Sequence, residues 1–410
     1  TRIQALTTTQ IDALTTTQLG VLTGDEVAAL SAAQIGALSQ AQLGALSSTA
    51  IGALSSTQLA ALTTTRIAAL TATQMQGMSA EQISDLSTTA FAALTATEIG
   101  GLTTTALSEL PATLIEAMST TQLRGMSAAQ VAALTGEQID VLDATRLSSL
   151  AAGQIRGLTA DEVSGLTSTQ AAALTSSQIG WLTTSAIAGL SETQIAALST
   201  TQIGGLTTTQ LTSLATTAIA AMTEAELAAL TTTQLRALTS SAIGALDATQ
   251  IAALTDTQLA ALTPTQMKGF GEDVLTTLTG TRLGVLTATE IGGLTSTQMA
   301  WLTETQIASL TTTQARGLSA VALASLGSTQ VAALTTTQLS ALTTTQIGGL
   351  RSTTVAALTT EQIGALATSQ IAALSVAGVS GLTAEQVAAL GATAVAALTA
   401  TELGAMTTTA

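Results

Sequence analysis

Residues 6–14 read LTTTQIDAL, residues 62–70 read LTTTRIAAL, and residues 334–342 read LTTTQLSAL. These near-copies share one register. Leu6, Leu14, Leu22, Leu30 and Leu38 open a series at every eighth residue that runs to Met406; of its 51 members 45 are Leu, the others being Met78, Met118, Met126, Met222, Phe270 and Met406. A second series runs Ile3, Ile11, Leu19, Val27, Ile35 and onward to Leu403, and only Ala171 and Ala315 leave it without a large apolar side chain. No insertion or deletion shifts either series. Residues 1–410 are therefore expected to form a single continuous array of about 51 octapeptide repeats with no separate domains.

The octad has a readable grammar. After Leu comes Thr or Ser, then two variable small residues, then usually Gln, then Ile, Leu or Val, then a variable residue, and finally Ala or Gly before the next Leu. Thr-x-x-Gln is a capping box, in which the hydroxyl accepts from a free N–H of the first turn and the Gln side chain reaches back to the cap. Leu before the cap and Ile after the Gln match the two members of a hydrophobic staple.

Charge supplies an independent check, because acids favour a helix N-terminus and bases a C-terminus. Of the 25 acidic residues, 20 lie on the cap or the three positions after it; Asp25, Glu26, Asp161, Glu162, Glu224 and Glu226 are examples. Five of the ten bases (Arg124, Arg156, Arg236, Lys268 and Arg316) share one position near the octad's end. A helix starting at each Thr has this polarity.

One continuous helix fails on geometry. Eight residues at about 100° each rotate the apolar stripe by roughly 80° per octad, which no ordinary supercoil absorbs. The expected fold is therefore all-α: a solenoid or superhelix of very short capped helices, one per eight-residue repeat. Gly36, Gly44, Gly52, Gly205 and Gly293, near octad ends, suit helix stops. The rival is a β-solenoid, with Thr favouring strands and Gln able to form ladders. The apolar spacing breaks strict alternation, and Asn, useful in tight turns, is absent. An isolated helix of this length does not survive in water, so each octad must stack on its neighbours.

Composition narrows the function. Aromatic residues make up 1% of the chain, charged residues 9%, and His, Cys and Tyr are absent. The formal charge of −15, with ten scattered bases, disfavours nucleic acid as a partner. Thr or Ser interrupts every apolar run, so no membrane span is expected. The chain does not begin with Met and shows no signal peptide, which points to a processed or excerpted segment of something larger.

Without His or Cys the commonest general bases and soft metal ligands are missing. No catalytic, cofactor-binding or metal site is assigned, and no enzyme activity is expected. The acidic doublets Asp25–Glu26, Asp161–Glu162 and Glu272–Asp273 could hold a hard cation, but they read first as favourable helix-start charge. Trp181 and Trp301 occupy the usually small position before Leu, where they either fill gaps or anchor a lateral contact. The stretch PTQMKGFGEDV, residues 264–274, departs most from the octad, with Phe270 in place of Leu and a candidate kink or contact.

The octads resemble those of very repetitive bacterial surface or secreted proteins of the haemagglutinin or haem-utilisation-and-adhesion type. The resemblance spans the chain but is compositional. It implies an extracellular polymer or adhesin region at the bacterial cell surface; haem binding does not carry over, since this chain has no His or Tyr to ligate haem. The cap phrase also resembles the opening of transcription-activator-like effector repeats and the short-helix superhelices of mesothelin-like proteins, over half an octad. The leading expectation is a structural protein building a fibre, stalk or sheath by self-assembly into filaments. One alternative is an adhesin-type binding module that uses divergent positions against a cell-surface or matrix partner. Another is an ice-binding Thr array on a β-solenoid.

Overall fold

The structure, a computed structural model, describes residues 2–406. A 3-10 turn, Arg2–Ala5, is followed by fifty α-helices of four to six residues, one per octad, and there is no strand among the described residues. The fold is the all-α solenoid of short helices. The β-solenoid is ruled out because every octad from Thr8 onward is a short helix among the described residues.

The octad around Glu192–Ile195 shows why each helix forms and stops. Ser191 is extended, with φ −76° and ψ 163°. Its hydroxyl accepts from Gln194 N–H at 3.3 Å, and Gln194 Oε1 accepts from Ser191 N–H at 2.7 Å. The box is closed from both sides. Leu198 N–H donates to the Ile195 carbonyl at 3.0 Å, tightening the last turn as short helices do. At the end of the helix Glu224–Ala229, Leu230 swings to φ −64° and ψ 137°, which carries the chain into the next cap.

Glycine ends some of these helices, as Gly205 and Gly293 do at the C-caps of Thr200–Gly204 and Ala288–Gly292, but in the right-handed region. No described residue, glycine included, has a positive φ, so the left-handed glycine cap expected near octad ends is absent. Glycine also serves close approach between successive turns. A Cβ on Gly52 would lie 2.3 Å from the Gly77 carbonyl oxygen, and one on Gly77 would lie 1.9 Å from that of Ser48. Paired glycines 25 residues apart recur at Gly100 with Gly125 and Gly292 with Gly317.

Three positions per octad face inward: the Gln, the Ile after it and the Leu. In one octad Gln194 is 2%, Ile195 0% and Leu198 4% exposed, whereas the cap and the two residues after it face solvent. Phe270 takes the Leu place and is buried like its equivalents. Around it, Pro264 opens the helix Pro264–Met267, where its missing N–H costs nothing, and the octad register continues.

Within each of two compact units, helices pack against the helix three octads on, as Ala72–Met75 does against Ala96–Gly101 and Ala288–Gly292 against Thr312–Gly317. The glutamines bond to helices four octads back, so a superhelical turn takes more than three octads and fewer than four. In space the chain divides into two compact units, Thr1–Leu206 and Thr207–Ala410, each built this way. The octad register passes the division without an insertion.

Candidate functional site

The most distinctive chemistry in this chain is a seam of buried amides. A short helix leaves its terminal carbonyls without intrahelical partners. Here they are met by glutamines from the turn above. Gln178 uses Oε1 to accept from Thr175 N–H at 2.9 Å, and its Nε2 donates to the carbonyls of Leu147 at 2.8 Å and Leu150 at 3.1 Å. Gln298 does the same to Met267 and Phe270 at 2.8 and 2.9 Å. The acceptors lie 31 and 28 residues earlier, one on the Ile series and one on the Leu series. One side chain thus caps its own helix and ties it to the turn below. In the first octads Gln10 and Gln18 keep the box and are exposed.

Sequence reasoning found the capping end of the glutamine and missed the donating end. A weak signal was present: Ala and Glu replace Gln more often, but Arg66, Arg146 and Arg282 also stand there, and Arg is a donor. Arg282 donates to the Ile251 and Leu254 carbonyls at 3.4 and 2.7 Å and pairs with Asp256 at 2.6 Å. Arg146 reaches the Met118 carbonyl at 3.3 Å, and Arg66 reaches the Gly36 carbonyl at 2.5 Å. At one octad where Ala replaces Gln a space opens. At Ala90 a cavity of about 220 Å³ is lined by Leu59, Leu62, Ile67 and Asp85; the Asp85 carboxylate accepts from the Ser56 hydroxyl.

Glutamate at this position reverses the chemistry. Glu98, Glu162, Glu226 and Glu290 each accept from their cap N–H, at 2.5–2.6 Å. The second oxygen, Oε1, of Glu98, Glu162 and Glu226 is buried with no hydrogen-bond partner. Burial pushes the Glu162 and Glu290 carboxyls above the usual range against the pull of their cap bonds; the Arg236 charge also pulls Glu290 down. Aspartates at the cap behave oppositely: the backbone N–H of Arg146 holds Asp143 below its ordinary value, and that of Gln250 does so for Asp247.

Trp181 and Trp301 end the helices Ser176–Trp181 and Ser296–Trp301 and are half-buried, while Phe270 faces the core. Trp181 belongs to the first compact unit, and Phe270 and Trp301 belong to the second. Of the acidic doublets, Asp25, Asp161, Glu272 and Asp273 are first-turn residues exposed to solvent, whereas Glu26 and Glu162 close capping boxes. Among the described residues no three acidic side chains gather to hold a metal ion, and no helix is long and apolar enough to cross a membrane.

A family model described as the ALTTAQ repeat matches residues 35–72, 115–144, 176–208, 219–256, 227–264, 336–368 and 344–376. The chain is a repeat protein. The matches cover somewhat under half of it and fall in both units, and the octad register of the sequence continues between the matches. No curated protein matches this repeat protein.

Proposed function

We propose that this repeat protein is structural and works outside the cell, at a bacterial surface, building length in a fibre, stalk or sheath through association of its chains into filaments. The observation that supports the reading is the seam. The same two bonds, from Gln Nε2 to carbonyls 28 and 31 residues earlier, recur in both units, so length is added without any new kind of contact. The exposed positions are mostly Thr, Ser and Ala, small side chains that let neighbouring chains approach closely, with Val21, Val321, Val376 and Leu403 the large apolar exceptions among the described residues. Electron microscopy of purified protein across a concentration series is the test. Filaments or sheets are expected; dispersed single chains at high concentration would sink the proposal.

The half-buried Trp181 and Trp301 favour a second reading, an adhesin-type module. On a surface otherwise made of small residues, a Trp is the side chain best suited to anchor a partner. Replacing both with Ala should then abolish attachment to a cell-surface or matrix partner while leaving the helical content intact.

A further inference from the structure

Glu162 stands between two octads whose glutamines cross the seam. Gln154 Nε2 donates to Leu123 and Met126 at 2.5 and 3.0 Å, and Gln170 Nε2 donates to Ile139 and Leu142 at 3.1 Å each. The register between them assigns Glu162 the carbonyls of Val131 and Leu134. Glu162 Oε2 accepts from Thr159 N–H at 2.6 Å, as Gln Oε1 does elsewhere. That leaves Oε1 where other octads hold a donor, and it is buried without a partner.

An ionised carboxylate offers only acceptors, whereas a neutral carboxyl has an O–H and nearly the shape of an amide. We propose that Glu162 is a proton-operated link in the seam. Carrying a proton on Oε1, it donates that one hydrogen to the Val131 or the Leu134 carbonyl and ties the turn with one of the two bonds that glutamine makes. Losing the proton to solvent, it turns an acceptor toward two acceptors, and the turn loosens. The flanking octads hold donor and acceptor 2.5–3.1 Å apart, the span of a hydrogen bond. A calcium ion needs oxygens at about 2.3–2.6 Å on each side of itself and would force them much further apart.

The charges around the group give the ionised form no support. Asp161 lies on the same helix and raises the Glu162 carboxyl; Glu137 and Asp140 lie on the packed helix Gly136–Asp140. The helix Thr184–Ile187 carries no charge, nor does Ala128–Val131 below. Glu192, on the helix whose Gln194 donates to the Val163 carbonyl, is exposed and also negative. Desolvation raises the folded-state carboxyl above its free value. A raised carboxyl contributes stability that is fully present below the unfolded pKa and is lost as pH rises through the folded one. The link therefore closes in acid and opens toward neutrality. Glu98 and Glu226 carry the same buried, unpartnered oxygen.

Hydrogen exchange of the helix Ala160–Gly165 in the full chain tests this, comparing the natural protein with Glu162→Gln from pH 4 to 8. Glutamine is the commonest residue at this position, so the variant keeps the seam closed at every pH. Opening in the natural protein, relative to the variant at the same pH, should rise by up to about ten-fold per pH unit between the free and the raised carboxyl values, and level off in acid. A ratio that stays constant with pH, or no difference at any pH, would overturn the proposal. So would recovery of protection at pH 7 on adding calcium or sodium ions to the natural protein alone, since a metal ion would then fill the slot.

Discussion

Replacing Gln194 with Glu isolates the donating half of the seam. The two side chains have nearly the same volume, so no cavity forms, and the carboxylate can still accept from Ser191 N–H, which Gln194 Oε1 holds at 2.7 Å. What is lost is donation from Nε2 to the carbonyls of Val163 at 2.9 Å and Leu166 at 2.6 Å. Each such bond contributes about 0.5–1.5 kcal/mol net, and a buried polar group left facing no partner costs about 1–3 kcal/mol. Gln194 is 2% exposed, so water does not readily replace the bonds. The combined loss should be about 2–4 kcal/mol at pH 7, or roughly 30-fold to 900-fold more frequent local opening. Hydrogen exchange of residues 159–166 and 191–198 would register it, because damage in a one-dimensional array stays near its source. At pH 4 and below, much of the loss should return as the carboxyl takes up a proton and donates. A Gln194→Glu protein as well protected as the parent at pH 7 would refute the seam's energetic role. Equal loss at pH 7 and pH 4 would refute the donor argument.

Two further outcomes follow from named contacts. Gly77→Ala places a Cβ 1.9 Å from the Ser48 carbonyl and should destabilise by about 1–3 kcal/mol in denaturant unfolding, whereas Gly44→Ala meets nothing within 4 Å and should be neutral or stabilising by up to about 1 kcal/mol. Asp247 titrates with the opposite sign to Glu162: held low by the Gln250 N–H, it contributes stability above its unfolded value and loses it as pH falls through the folded one. Protection of the helix Ala248–Ala253 should therefore fall between about pH 5 and pH 2 in the parent and stay flat in Asp247→Ser, measured by exchange after correction for intrinsic rates.

The local half of this fold was legible in the residues. A cap and its Gln lie three positions apart, a distance that chain geometry closes without help from anything else, so Thr-x-x-Gln could be read as a helix start wherever it stood. The Leu and Ile series named the core, because two fixed positions in every octad can face inward only if every octad has the same conformation. Even the glycines were visible as helix ends, which Gly205 and Gly293 are, although their second purpose was not. A helix stop and a close approach both call for the absence of a side chain, and only Gly77 against Ser48 tells which applies.

The seam was decided by tertiary structure. Whether Gln178 Nε2 meets Leu147 and Leu150, rather than residues one turn nearer or further, depends on how far each octad rotates and rises about the common axis. That rotation is the sum of small bends over more than three octads, and no eight-residue window contains it. The sequence by itself determined the capped helix, the residues that turn inward and the identity of every octad with its neighbours. The superhelix alone set the reach of the glutamine, and with it the contrast between an amide that closes a turn and a carboxylate that does so only with a proton.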